Sequence, residues 1–141
     1  MLHLAGNYNE TRLVERGRFV DAEAQFDVEN GAPDLRAVAS LRHTRDRFDL
    51  MLRGRYYGSY ENASTADLAV TQSFGAEFMV DAEATLHFGD RFSLKAGGRN
   101  LFDVYPEPGE FESCCGRIYR SDSVVPWQGT FLYLQLQVSV P

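Results

Sequence analysis

In Phe48-Asp49-Leu50-Met51-Leu52-Arg53-Gly54-Arg55-Tyr56-Tyr57 the side chains alternate. Phe48, Leu50, Leu52, Gly54 and Tyr56 share one face, and Asp49, Met51, Arg53, Arg55 and Tyr57 share the other. A period of two is the pattern of a β-strand with unlike faces. Residues 78–88 repeat it, with Phe78, Val80, Ala82, Ala84, Leu86 and Phe88 opposite Met79, Asp81, Glu83, Thr85 and His87. The last segment sets Leu132, Leu134, Leu136, Val138 and Val140 opposite Phe131, Tyr133, Gln135, Gln137 and Ser139. Weaker alternation runs through Leu2–Tyr8, Leu35–Leu41 and Phe92–Phe102. The expectation is all-β: an antiparallel up-and-down meander of about six strands, with no helix.

The connections alternate in length. Thr44-Arg45-Asp46-Arg47 and Gly89-Asp90 read as tight hairpin turns. Residues 17–33, 59–75 and 103–128 are long segments rich in Gly, Ser, Asn, Asp and Pro. The order long, short, long, short, long puts every long loop at one rim of a meander. Outer-membrane β-barrels have this asymmetry. Val20, Ala22, Ala24, Phe26 and Val28 also alternate, against Asp21, Glu23, Gln25, Asp27 and Glu29. A spanning strand there would break the asymmetry, so residues 18–29 are expected to form strand-like structure within an external loop.

Composition narrows the classes. The chain has 141 residues, 14 basic and 20 acidic, for a formal net charge of -6. A general nucleic-acid binder needs a basic face, which this balance disfavours. With 44% hydrophobic and 24% charged residues the chain is unlike an intrinsically disordered one. No apolar run approaches the ~18 residues of a transmembrane helix. The only cysteines, Cys114 and Cys115, are adjacent; neighbouring Cα atoms lie ~3.8 Å apart, below the usual disulfide range, so a strained vicinal bridge and two thiols both stay open. His3, His43 and His87 are scattered singly and do not have metal-site spacing.

Alternation does not say which face is inside. A soluble barrel turns its apolar face inward, and a membrane barrel turns it to lipid. Aromatics favour the second: Phe48, Phe88 and Phe92 flank the short turns, whereas Tyr56, Tyr60, Phe78, Phe102 and Tyr105 lie toward the long loops. Phe48 to Tyr56 spans about 26 Å at ~3.3 Å per residue, or about 20 Å of height at a tilt of ~40°, near the ~25 Å apolar band of such barrels. The polar face carries both signs, in Arg36, Arg42, Arg53, Arg55, Asp81, Glu83, Lys95 and Arg99, which neighbouring strands can pair.

Five motifs, in order, resemble one family. Gly31-Ala32-Pro33-Asp34-Leu35-Arg36 is similar to its Gly-x-Pro-x-x-Arg strand opening, and Arg55-Tyr56-Tyr57-Gly58-Ser59-Tyr60 to its Tyr-Tyr-Gly-x-Tyr strand end. Val80-Asp81-Ala82-Glu83 resembles the Val-Asp-x-x after the next loop. Gly98-Arg99-Asn100-Leu101-Phe102-Asp103-Val104-Tyr105-Pro106 resembles the Asn-Leu-Phe-Asp-x-x-Tyr signature, and Pro126-Trp127-Gln128-Gly129-Thr130-Phe131-Leu132-Tyr133 the Pro-x-x-Gly-x-x-x-Tyr that starts the last strand. The family is that of TonB-dependent outer-membrane receptors, and the resemblance covers residues 1–141.

It implies an arc of a large transmembrane β-barrel, the C-terminal portion of a receptor whose ~22 strands, plug and signal peptide lie mostly elsewhere. The family commonly ends on an aromatic residue, whereas this chain ends Val138-Ser139-Val140-Pro141. The expectation is therefore a fragment of a longer receptor or a truncated gene product. Implied partners are outer-membrane lipid, the remainder of the barrel and plug, TonB through the missing N-terminal part, and a scarce nutrient such as a ferric siderophore; no cofactor and no nucleic acid are implied.

No catalytic constellation stands out: there is no Gly-x-Ser-x-Gly elbow, phosphate loop or His-Glu-x-x-His motif. Asp81 and Glu83 have acid/base spacing, but pairing with neighbouring cations explains them more simply. Asn9-Glu10-Thr11 and Asn62-Ala63-Ser64 match a glycosylation pattern that a bacterial reading leaves without a role. The loop candidates for ligand contact are Arg117, Tyr119, Arg120 and Trp127, with Phe111; the alternative is that these loops pack on one another at the rim. Two rival classes remain, a small self-contained membrane barrel and a soluble β-barrel or sandwich that binds an apolar ligand. In an isolated sheet, Leu2–Tyr8 and Leu132–Val140 are expected to be bare edges.

Overall fold

The computed structural model describes residues 1–110 and 116–140. In chain order the elements are β1 (Leu2–Tyr8), α1 (Ala22–Asn30), β2 (Leu35–Arg45), β3 (Phe48–Tyr57), β4 (Tyr60–Ala63), β5 (Thr71–Phe74), β6 (Glu77–Phe88), β7 (Phe92–Arg99) and β8 (Phe131–Val138). Six strands make one antiparallel sheet in the order β1-β2-β3-β6-β7-β8, which does not close; β4 and β5 pair separately. The meander expected from alternation is present, and β1 and β8 are its free edges.

Register turns each strand's alternation into continuous rows, because residues paired across a ladder share a face. Leu2, Leu41, Leu52, Ala82, Gly98 and Leu132 stand side by side across all six strands. A second row runs Arg45, Phe48, Leu86, Leu94 and Leu136, a cation followed by four apolar side chains. On the opposite face His3, Ser40, Arg53 and Asp81 are aligned. The apolar face is bare: Leu52 is 48% exposed, Phe78 51% and Leu134 72%. Along β6 the usual order is inverted, since Met79, Asp81 and Thr85 of the polar-bearing face are buried.

Long and short connections segregate by rim. Two-residue and three-residue turns, at Asp46-Arg47 and 89–91, close β2 to β3 and β6 to β7. Asp46 and Gly89 take positive φ (48° and 62°), the left-handed conformation that lets a tight turn follow the twist of its strands. The three long connections all leave the other rim.

Residues 18–29 differ from expectation. Helix α1 takes the place of strand-like structure, starting at Asp21, whose carboxylate accepts the Ala24 backbone N–H (2.8 Å). Ala, Glu and Gln are good helix formers, and an N-cap aspartate satisfies one of the N–H groups that a helix start leaves open. A lone strand needs a ladder partner; a helix closes its hydrogen bonds within itself. The period of two in Val20–Val28 arises because alanines sit between acidic and amide residues. A second difference is the end of β7, at Arg99 rather than Phe102. Asn100 leaves the ladder with φ 53°, and its N–H turns to Asp81 Oδ1 (3.0 Å). A third is the β4–β5 hairpin within 59–75, where a loop was expected.

Most of the buried apolar side chains lie in the loops. Tyr60, Ala63, Phe74 and Val125 are buried at the rim, with Tyr60 stacked on Phe74 at 4.8 Å. α1 packs against β4, where Asp27 accepts the Ala63 N–H (2.8 Å). The third long loop reaches the hairpin at Gln72, which donates to the Pro108 carbonyl (2.9 Å) and accepts the Glu110 N–H (2.8 Å). Glu107 takes the Gly75 N–H (2.9 Å).

Candidate functional site: a cleft in the loop rim

The third long loop is fixed at its base by the residues that follow β7. Asn100 is buried, and its side chain closes a ring with Val104, donating to the carbonyl (2.7 Å) and accepting the N–H (3.0 Å). Its own carbonyl accepts the Thr130 hydroxyl (2.7 Å), and Asp103 accepts the Thr130 N–H (2.9 Å). Asn100 and Asp103 both have positive φ, which Asn and Asp tolerate better than other side-chain-bearing residues. The Asn-Leu-Phe-Asp stretch is thus a double turn that ties β6 and β7 to the start of β8. Tyr105 follows and stacks on Tyr119 at 6.3 Å; the Asp103 carboxylate beside it pushes its phenol above the ordinary tyrosine range.

Above this base lies a cleft of about 620 Å³, lined by Pro106, 116–121, Ser123, Val125 and Trp127. Of its lining, Pro106 and Val125 are buried, and Ile118 and Trp127 are exposed. All four loop candidates named from the sequence, Arg117, Tyr119, Arg120 and Trp127, line it. Its volume is in the range of small-molecule sites. Phe111, Cys114 and Cys115 lie outside the described residues.

The four are not alike. Trp127 is 66% exposed, and Arg117 is exposed with no ion pair among the described residues. Arg120 is committed. Its Nε and Nη2 donate to the two carboxylate oxygens of Asp122, each at 3.0 Å, and its Nη1 donates to Ser64 Oγ (3.0 Å). Asn62, 1% exposed, donates to the same carboxylate from β4, while its amide oxygen has no hydrogen-bond partner among the described residues. Burial, and next the repulsion of Asp122, raise the Tyr60 phenol above its ordinary range, against a lowering hydrogen bond with Ser123. Part of the candidate set therefore packs loop on loop, and part faces open space. The sequence did not point to Asn62 and Ser64 as partners of this loop, because the Asn62–Asp122 and Arg120–Ser64 bonds join segments 60 and 56 residues apart.

The charged face of the sheet is the second candidate surface. Arg55 Nη2 meets Asp81 Oδ1 at 2.8 Å, Lys95 meets Glu83 at 3.2 Å, and His87 Nε2 meets Asp49 at 2.7 Å. Tyr133 lies over Gly97 and donates to Glu83 Oε2 (2.6 Å), crossing β7. These contacts satisfy opposite charges between adjacent strands, as the sequence suggested. Among the described residues no group of three or more His, Cys, Asp or Glu could hold a metal ion, and no helix is long and apolar enough to cross a membrane. No family model, curated protein or solved structure matches the chain.

Proposed function

We propose that this chain is part of the wall of a larger outer-membrane β-barrel. Its apolar face meets lipid, its charged face borders a polar interior, and its long-loop rim faces outward. On the strength of the motif resemblance, the whole protein is a TonB-dependent receptor that takes up a scarce nutrient such as a ferric siderophore. The observation that carries the reading is the inversion of the sheet: six strands expose continuous apolar rows while Asp81 and Thr85 are buried on the other side. A sheet in water does the opposite, because burying apolar area yields about 25 cal/mol per Å² and burying unpaired charge is costly.

The rim cleft supports the receptor reading more weakly, by placing Arg117 and Trp127 where an incoming solute would meet them. The rival readings fit less well. A self-contained barrel needs about eight strands to close around a filled interior, and this sheet is open with six. A soluble lipocalin-type protein would turn its apolar rows inward, and here they are bare.

Lipid dependence tests the proposal. Diluted from urea into detergent micelles, the chain is expected to regain β-structure by circular dichroism and to resist protease. Diluted into plain buffer it should aggregate through β1, β8 and the apolar face. A monomer that folds cooperatively in plain buffer overturns the reading.

A further inference from the structure

Arg120 belongs to two structures at once. It lines the rim cleft, and it is the hub that binds the third long loop to the second. Its side chain is 15% exposed and that of Asp122 is 42% exposed, so the carboxylate is the half of the pair that solvent reaches. The pair is side-on, with two parallel N–H donors on the two oxygens of one planar carboxylate. That geometry selects carboxylates over point anions. Asn62 adds a second observation: a buried amide that donates to Asp122 but whose own oxygen has no acceptor role. A buried polar atom left unpaired is costly, so the closed arrangement is not fully satisfied.

We propose that the Arg120–Asp122 pair is a carboxylate-operated latch. A solute bearing two or more carboxylates enters the cleft, takes Arg120 in place of Asp122, and sets a second carboxylate on Arg117. Asp122 then swings to solvent and releases Asn62, so the third long loop loses its tie to β4 while its contacts at Gln72 and Gly75 stay in place. Trp127 and Ile118, both exposed at the same cleft, pack the solute's carbon skeleton. Binding is thereby coupled to loosening of the rim, since the solute has higher affinity for the open state than for the closed one. The inference rests on the rim being the solute-facing end of the protein, and it does not depend on which nutrient the whole receptor carries.

Trp127 is the only tryptophan of the chain and serves as the reporter. In detergent micelles the chain is titrated with propane-1,2,3-tricarboxylate, with the uncharged triol glycerol and inorganic phosphate as comparisons. Trp127 emission is expected to change saturably with the tricarboxylate, more weakly with phosphate and not with glycerol. Amide exchange at 60–64, where Asn62 and Ser64 hold the latch, should rise at least several-fold over the same titration. Two variants read the competition. Arg120→Met should abolish the response, and Asp122→Asn, which keeps the shape but removes the competing charge, should tighten binding about tenfold. A residue that only supports the fold cannot produce that gain. Unchanged or weakened binding in Asp122→Asn, equal responses to all three solutes, or binding without faster exchange each overturns the latch. The micelle-dependent folding of the sheet is measured separately, so loss of the latch leaves the membrane reading standing.

Discussion

Replacing Gly97 with alanine should cost about 1.5 kcal/mol, although glycine is a poor residue for a strand interior. A Cβ at position 97 would coincide with the Tyr133 hydroxyl and ring edge, so Tyr133 must leave its place over β7. It then gives up its 2.6 Å bond to Glu83. A hydrogen bond to a charged group contributes roughly 1.5–3 kcal/mol, and the lower end applies because the Glu83 side chain is 23% exposed and keeps Lys95 as partner. Lost ring packing adds a few tenths, and alanine's better strand propensity returns about as much. Tyr133→Phe isolates the hydroxyl and should cost about 1–1.5 kcal/mol. The decisive comparison is the double mutant: in a Tyr133→Ala background, Gly97→Ala should cost less than about 0.5 kcal/mol, because the obstacle is gone. Urea unfolding in detergent micelles, followed by Trp127 emission, measures the parent chain and the four variants. Equal costs of Gly97→Ala in both backgrounds would refute the reasoning, since glycine would then be needed for its backbone and not for Tyr133.

Three further outcomes follow from the packing. Asp81→Ala removes the partner of Arg55 and the acceptor of the Asn100 N–H, and should destabilise the sheet by about 3 kcal/mol in the same assay, as expected for breaking a largely buried pair. Asp21→Ala removes the helix cap and should raise amide exchange across 22–26, with a loss of about 1 kcal/mol confined to α1. Tyr60, whose phenol is raised by burial and by Asp122, stabilises the rim fully below the ordinary tyrosine pKa; that contribution is lost as pH rises through the higher folded value. Alkaline titration should therefore loosen β4–β5 before it disturbs β6, an order that residue-resolved exchange can read.

How much of this was legible in the sequence depends on what fixed each part. The strands of the sheet were legible because lipid or water on one face and charge on the other impose a period of two on every strand. The rim was legible only as long loops. Val20 to Val28 alternates like a strand, and the helix there depends on capping contacts at Asp21 and Gly31 that alternation does not reveal. Four-residue strands such as β4 carry too few residues to show a period, and their pairing is closed by the turn at 64–70. Arg117, Tyr119, Arg120 and Trp127 were found as residue types suited to ligands, and the fold does gather them. What separates Arg120 from the other three is its bonding to Asp122 and Ser64, with Asn62 bound in turn to Asp122; the two contacts to the second long loop are ones that chain spacing could not reveal. Asn100 and Asp103 were noticed as part of a motif, but their work as left-handed turn residues shows only in the backbone.

The central claim is that the apolar rows face lipid and the charged rows do not. It is tested by placing a fluorophore on single cysteines at 50–53 and 132–135, with Cys114 and Cys115 replaced by serine, and quenching with a detergent brominated in its hydrocarbon chain. Strong quenching at 50, 52, 132 and 134 and weak quenching at 51, 53, 133 and 135 is the predicted result. Uniform quenching, or stronger quenching at the odd-numbered positions, would contradict the account.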